Sequence, residues 1–184
     1  MKSTTALIIV DMFNNFNFPE GKALAKRALP IAKNIEKLKR RCRKNKIPVI
    51  YVNDNFGKWN LDWQKLLDQC HSLKNRGKEL AEILKPEVTD YFVLKRKHSG
   101  FYSTNLEPLL DELKINRLIL TGIAGDICVL FTAHDAHMRN YELIIPKDCI
   151  ASNTARADRY LLYQLETTLK FKTTESKRIN FDRT

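Results

Sequence analysis

Three residues of different chemistry stand just beyond apolar runs of this 184-residue chain. Asp11 follows TALIIV, Lys95 closes YFVLK, and Cys128 lies one short loop after RLILTG. A carboxylate, an ammonium and a thiol together make an acyl-transfer set. Cysteine attacks as thiolate, and its pKa falls beside a cation or at a helix start. Cys128 is expected to have both, from Lys95 and from the helical pattern beginning near Ile127. Asp11 can take the thiol proton and later return one to a departing amine. Backbone amides of the Ile123–Cys128 turn can hold the oxyanion. Taken singly, each residue has an ordinary explanation: a turn carboxylate, a solvated lysine, a buried thiol. Their conjunction at three strand ends is what carries the argument.

The elements that must position them are legible as alternating apolar runs and helical patterns. Strands are expected at 5–11, 48–52, 91–95, 117–122 and 141–146, with a weak last strand near Phe171–Glu175. A helix follows the loop MFNNFNFPEG, because Leu24, Ala28, Ile31, Ile35, Leu38 and Cys42 recur every three or four residues. Further helices are expected near 77–84, over 103–114 (Thr104 and Glu107 at capping-box spacing), over 127–139 and over 155–169. The stretch Asn53–Gly77 reads as an irregular, functional loop. Continuous apolar strands joined by helices imply a parallel sheet covered on both faces. The expected fold is therefore one doubly wound, Rossmann-like three-layer α/β/α domain over residues 1–184, with a mainly parallel sheet of about six strands. Ligands in such sheets sit beyond the carboxyl ends of the strands, where strand order reverses.

Composition narrows the partners. The net charge of +11 raises nucleic acid as a ligand, but its densest source, Lys33–Lys46, lies on the helix with the apolar stripe. A solvated helix face is the simpler reading, so nucleic acid is not the expected partner. No window approaches the ~18 apolar residues of a membrane span, and MKSTTALIIVDM lacks a cleavage pattern. The four cysteines lie far apart, so reduced thiols and a cytoplasmic location are expected.

The stretch LTGIAGDICVLFTAHDA, with IIVDMFNNF and KRKHSGFYSTNL, resembles the isochorismatase-like cysteine hydrolases, the superfamily of nicotinamidases and carbamoylsarcosine amidohydrolases. The resemblance runs from about Thr5 to Ser152. It implies that Asp11 is the general base, Lys95 the triad lysine (four residues before Ser99, with Lys97 a decoy) and Cys128 the nucleophile. It implies a cis peptide at Ile123–Ala124 and an oxyanion hole from the amides of Ala124 and Cys128. Phe16 matches an aromatic of the family's pocket wall and His98 a pocket position often held by an aromatic; the expected pocket walls are Phe13, Phe16, Asn55, Trp59, His98 and Phe101. Relatives of this kind form dimers or larger oligomers, so self-association is expected.

Two departures from the family pattern direct the functional expectation. Nicotinamidases carry a metal-binding Asp-x-His after the second strand; here Asp54 is followed by Phe56, and His71 is the only nearby histidine. No metal and no cofactor are expected, and nicotinamidase activity is not. Isochorismatases that cleave a vinyl ether typically lack the cysteine that Cys128 supplies. The expectation is a metal-independent cysteine hydrolase that cleaves an amide-type C–N bond of a small molecule through a Cys128 thioester. A vinyl-ether hydrolase and a non-catalytic basic nucleic-acid-binding module remain the alternatives. Cys42 and Cys149 read as packing residues, Cys70 has no base nearby in sequence, and His134 and His137 lack a third ligand.

Overall fold

The computed structural model describes residues 4–72, 76–171 and 173–181. Five parallel strands form one sheet: β1 (Thr5–Val10), β2 (Val49–Asp54), β3 (Tyr91–Lys95), β4 (Arg117–Gly122) and β5 (Glu142–Ile144). Their order is β3-β2-β1-β4-β5, so the chain winds outward one way from β1 and then the other way from β4. Side chains alternate across the pleat. Leu7, Ile9, Tyr51 and Ile119 pack into one core with α1 (Gly21–Lys44), α2 (Trp63–His71) and α3 (Lys78–Ile83). Ala6, Ile8, Val10 and Leu120 face the other core, under α4 (Leu106–Glu112), α5 (Leu130–Met138) and α6 (Ala155–Tyr163). Helices thus cover both faces, and a strand buried on both sides must be apolar throughout.

The long helix α1 buries the stripe Leu24, Ala28, Ile31, Ile35, Leu38 and Cys42. Among the described residues no helix is long and apolar enough to cross a membrane.

Several elements differ from the sequence expectation. The sheet has five strands, not six. Lys172 lies outside the described residues, and the rest of 171–175 makes a single bridge, Pro146 to Thr174. Asp148 ends that pairing by accepting hydrogen bonds from the Ser176 amide and hydroxyl, both at 2.7 Å. The fifth strand stops at Ile144, shortly before Pro146, which has no N–H to give a ladder. Within Asn53–Gly77, of which 73–75 lie outside the described residues, α2 replaces part of the expected loop. Asp62 caps it by accepting from the Lys65 amide at 2.8 Å, and Leu66 and Cys70 are buried four residues apart. The Thr104–Glu107 capping box does not form. Thr104 instead gives its hydroxyl to the Gly100 carbonyl at 2.5 Å, and Glu107 pairs with Arg139 at 2.9 Å.

Candidate active site

β1 and β4 are neighbours whose following segments diverge, so the crevice between their carboxyl ends is the switch point of the sheet. Gly122 closes that junction. Its φ is +115°, and a Cβ there would stand 2.1 Å from the Val10 carbonyl oxygen. Only glycine lets β4 end so near β1. The Ile123 amide then donates to Val10 at 3.0 Å, bringing the Ile123–Cys128 turn beside Asp11. Asp11 itself has φ +51°, a left-handed conformation that aspartate tolerates better than most residues.

Lys95 reaches this junction from the end of β3. Its ammonium, fully buried, lies 2.8 Å from Asp11 Oδ2 and 3.5 Å from Cys128 Sγ. It also donates to the Lys97 carbonyl at 3.1 Å and stands 3.7 Å from Asp54 Oδ2. Lys97 therefore contributes its backbone, not its side chain. Asp11 Oδ1 accepts from the Asp54 amide at 2.7 Å, and the carboxylate is in hydrogen-bond contact with the Cys128 thiol.

The electrostatics correct one expectation. Burial, and then the Asp11 charge, push the Cys128 thiol well above the ordinary cysteine range, and Lys95 only partly offsets them. Cys128 rests as a thiol, not as a preformed thiolate. Burial also raises the Asp11 carboxyl, against the lowering influence of Lys95. For Lys95 burial works against the charge, but Asp11, Cys128 and Asp54 outweigh it and leave its pKa raised. The cluster is a buried Asp11–Lys95 pair at 2.8 Å with the Cys128 sulfur 3.5 Å from the same ammonium.

Cys128 sits in a π-helical turn, Gly125–Val129, that leads into α5. Such turns recur at functional sites because the widened backbone re-aims side chains and amides. Gly125, Asp126, Ile127 and Val129 commit their amides to Ala151, Ser152 and Ala124. The Ala124 amide has no acceptor among the described residues, and that of Cys128 makes no hydrogen bond beyond its own turn. The Ile123–Ala124 peptide is cis.

Above this floor opens a cleft of about 270 Å³, lined by Asp11, Asn14, Asp54, His98, Ala124 and Cys128, among others. Of the six expected walls, His98 lines it and five do not. Phe13 packs in the core against Tyr51 and Trp63, with centroids 5.4 and 5.1 Å away. Phe16 is fully buried at φ +52°. Asn55 turns inward to cap the Gly57 amide at 3.0 Å. Trp59 is 78% exposed and stacks under Arg96, and Phe101 is buried against Tyr141. The hydrophobic walls are instead Phe18, Leu24, Phe56, Ile123 and Ile127. Asn153 completes the cleft. The strand-end rule was the signal that could have found it, since it follows the segment bridged to Gly122 at the same rim.

A nicotinamidase-type metal does not fit these residues. Asp54 uses Oδ1 to accept from the Phe56 amide at 2.5 Å, and Phe56 carries no ligand atom. Among the described residues no three His, Cys, Asp or Glu side chains converge on a metal position.

A parallel α/β sheet with a thiol-bearing cleft at its switch point defines the class, a doubly wound α/β protein. Residues 5–176 match the Isochorismatase domain. The chain is 45% identical over 178 residues to the uncharacterized isochorismatase family protein YaaI of Bacillus subtilis, covering 97% of each. It is 28% identical over 198 residues to the ureidoacrylate amidohydrolase RutB of Yersinia enterocolitica, covering 90% of this chain and 83% of that one. The solved N-carbamoylsarcosine amidase of Thermoplasma acidophilum superposes with a TM-score of 0.73 at 29% identity, covering 98% and 99% of the two chains. The chain belongs to the isochorismatase family, and it is a hydrolase.

Proposed function

We propose that the chain is one metal-independent cysteine hydrolase domain that cleaves the C–N bond of a small amide, with Cys128 as nucleophile, Asp11 as base and Lys95 as electrostatic partner. The observation that carries this reading is the single ammonium within 2.8 Å of the carboxylate and 3.5 Å of the thiol. Asp11 takes the thiol proton as sulfur attacks the carbonyl carbon. Negative charge then passes from carboxylate to sulfur without leaving the reach of Lys95, so little charge separation develops in a dry site. This arrangement suits a thiol whose pKa is raised. It does not ionise beforehand but gives up its proton in the attacking step.

The carbonyl oxygen becomes an oxyanion held by the amides of Ala124 and Cys128. Asp11 hands its proton to the nitrogen, the C–N bond breaks, and an amine leaves a thioester on Cys128. Water enters, Asp11 takes its proton, and the thioester carbon passes to hydroxide. The acid departs, and Asp11 returns the proton to sulfur. Two relatives, the ureidoacrylate amidohydrolase and the N-carbamoylsarcosine amidase, support the bond type.

Intact-mass measurement during turnover of an amide panel tests the reading. A mass increase on Cys128, reversed by hydroxylamine and absent in Cys128→Ala, is the expected result. Amide turnover that survives Cys128→Ala, Asp11→Asn or Lys95→Ala overturns the role of the residue concerned.

A further inference from the structure

The helix α1 carries ten lysines and arginines against one glutamate, a net charge of +9 where the whole chain has +11. The sequence reading takes that charge for a solvated face. The structure divides the ten cations into two sets. Four are committed to the fold. Arg27 pairs with Asp158, Lys39 with Glu36, and Arg43 with Asp90 and Glu87, while Arg41 donates to the Ser176 and Ile179 carbonyls. The other six, Lys22, Lys26, Lys33, Lys37, Arg40 and Lys44, are exposed. Of these only Arg40 has an ion pair among the described residues, with Glu36 at 2.8 Å.

The six share one side of the helix. At about 100° per residue their positions fall within an arc of about 60°, and from Lys22 to Lys44 the ribbon runs about 33 Å. Lys22 and Lys26, Lys33 and Lys37, and Arg40 and Lys44 are each four residues apart, and Lys37 and Arg40 are three apart. Like charges at these spacings repel and destabilise a helix. A face that is only solvated has no need of such an arrangement, because mixed signs serve solubility as well. Glu36, the one acid of α1, is already shared by Lys39 and Arg40. An anionic partner would relieve the repulsion along the whole line.

The ribbon itself narrows the partner. α1 exposes no large hydrophobic side chain, because its apolar stripe is buried against the sheet. Protein interfaces are built on an apolar or aromatic core, and membrane-surface helices insert one. The ribbon offers neither. Single-stranded nucleic acid is held by aromatic platforms for its bases, and α1 has no aromatic residue. What remains is a narrow line of long cationic side chains, the chemistry of contact with a phosphate backbone. Its length is about that of one helical turn of a duplex.

We propose that the outward ribbon of α1 docks the phosphate backbone of a double-stranded nucleic acid without reading its sequence. No ribbon residue lines the cleft at the switch point, so the inference stands apart from the hydrolase reading.

Fluorescence anisotropy with short mixed-sequence DNA and RNA duplexes tests it. Binding is expected to weaken by about 10²- to 10³-fold between about 50 and 200 mM salt, the loss for about four or five phosphate contacts. The triple variant Lys26→Glu, Lys33→Glu, Lys37→Glu should bind at least about thirtyfold more weakly and lower the salt slope by about three. The same three positions changed to Gln should fall between that variant and the unaltered protein. Lys58→Glu, Lys114→Glu, Lys170→Glu changes the net charge equally at exposed positions on other segments. This control should stay within about threefold of the unaltered protein. Either duplex bound in this pattern supports the inference, and the tighter one identifies the nucleic acid. Equal losses in the two Glu triples would show that net charge alone acts, and would overturn it. Failure to bind either duplex at about 50 mM salt overturns it too. So does tighter binding to vesicles of phosphatidylglycerol and phosphatidylcholine than to both duplexes.

Discussion

The sheet has a charged cluster at each end, and the two behave differently. At the end where β2 and β3 begin, Arg43 binds Asp90 and Glu87, each at 2.6 Å, beside a hollow of about 510 Å³. Nearby, buried Lys39 meets Glu36 at 2.7 Å and the Lys85 carbonyl at 3.0 Å. At the other end Lys95 joins Asp11 and Cys128 under a smaller cleft of about 270 Å³. Of these two hollows, the larger is not the candidate site. Around Arg43 the charges neutralise one another, and a guanidinium keeps its proton at any working pH. Around Lys95 a proton can pass from thiol to carboxylate. A carboxylate, an ammonium and a thiol in mutual contact, not empty space, distinguish the site.

The sharpest way to break this contrast is to compare two cysteines. Cys128→Ala should lower amide turnover by at least about 10³-fold, as removal of a nucleophile does, with the melting temperature nearly unchanged. Cys42→Ala, in the fully buried stripe of α1, should do the reverse: about 1 kcal/mol of stability lost and kcat retained. Comparable kcat losses in both variants would remove the distinction between rim thiol and core thiol.

Asp11 and Asp90 form the next pair, each buried beside one cation. Asp11→Asn should cost about 10²- to 10⁴-fold in kcat, the usual worth of a positioned general base. Asp90→Asn should leave kcat intact and lower unfolding stability by about 1–3 kcal/mol, because Arg43 then faces only Glu87. Thermal unfolding and ammonia release, measured on both variants, check the pair.

The pH profile sharpens the role of Lys95. Burial holds the Asp11 carboxyl above the ordinary aspartate range, and Lys95 pulls it down. The proposed mechanism needs Asp11 ionised, so kcat/KM should fall as pH drops through that raised pKa. Lys95→Met removes the lowering influence, so the acid limb of the residual activity should move to higher pH. A shift to lower pH would mean that the ammonium acts on a different group.

How much of this was legible in the sequence follows from what each feature depends on. Strands buried on both faces are continuous apolar runs, and the residues at their ends, Asp11, Lys95 and Cys128, could be found by counting past the last apolar residue. The stripe of α1 was legible for the same reason, since periodicity is a local property. The acidity of Cys128 was not. Its helix start and its lysine were visible, but the desolvation and the Asp11 charge that outweigh them exist only once β1 and β4 are adjacent. The walls failed for a related reason. Phe13 was close to Asp11 in sequence, yet Trp63 on the unforeseen α2 draws it into the core at 5.1 Å. Asn153, with no motif around it, stood out only when the structure placed it on the cleft.

The smallest expected effect tests where the cleft ends. Trp59 is the most aromatic-looking candidate of its loop, but it is 78% exposed, and its ring lies 4.1 Å from the Arg96 guanidinium carbon. An exposed cation–π pair is worth about 0.5–1 kcal/mol, so Trp59→Ala should change stability by no more than that. Because Trp59 does not line the cleft, kcat/KM for a neutral amide should stay within about twofold. Phe56, three residues earlier and on the cleft wall, should behave otherwise. Phe56→Ala removes apolar contact from the ligand and should raise KM by about three- to tenfold with kcat little changed. A larger KM increase in Trp59→Ala than in Phe56→Ala would show that the Asn55–Asn60 loop closes over the substrate. The boundary between the cleft and the surface would then have to be redrawn to include the stacked tryptophan and arginine.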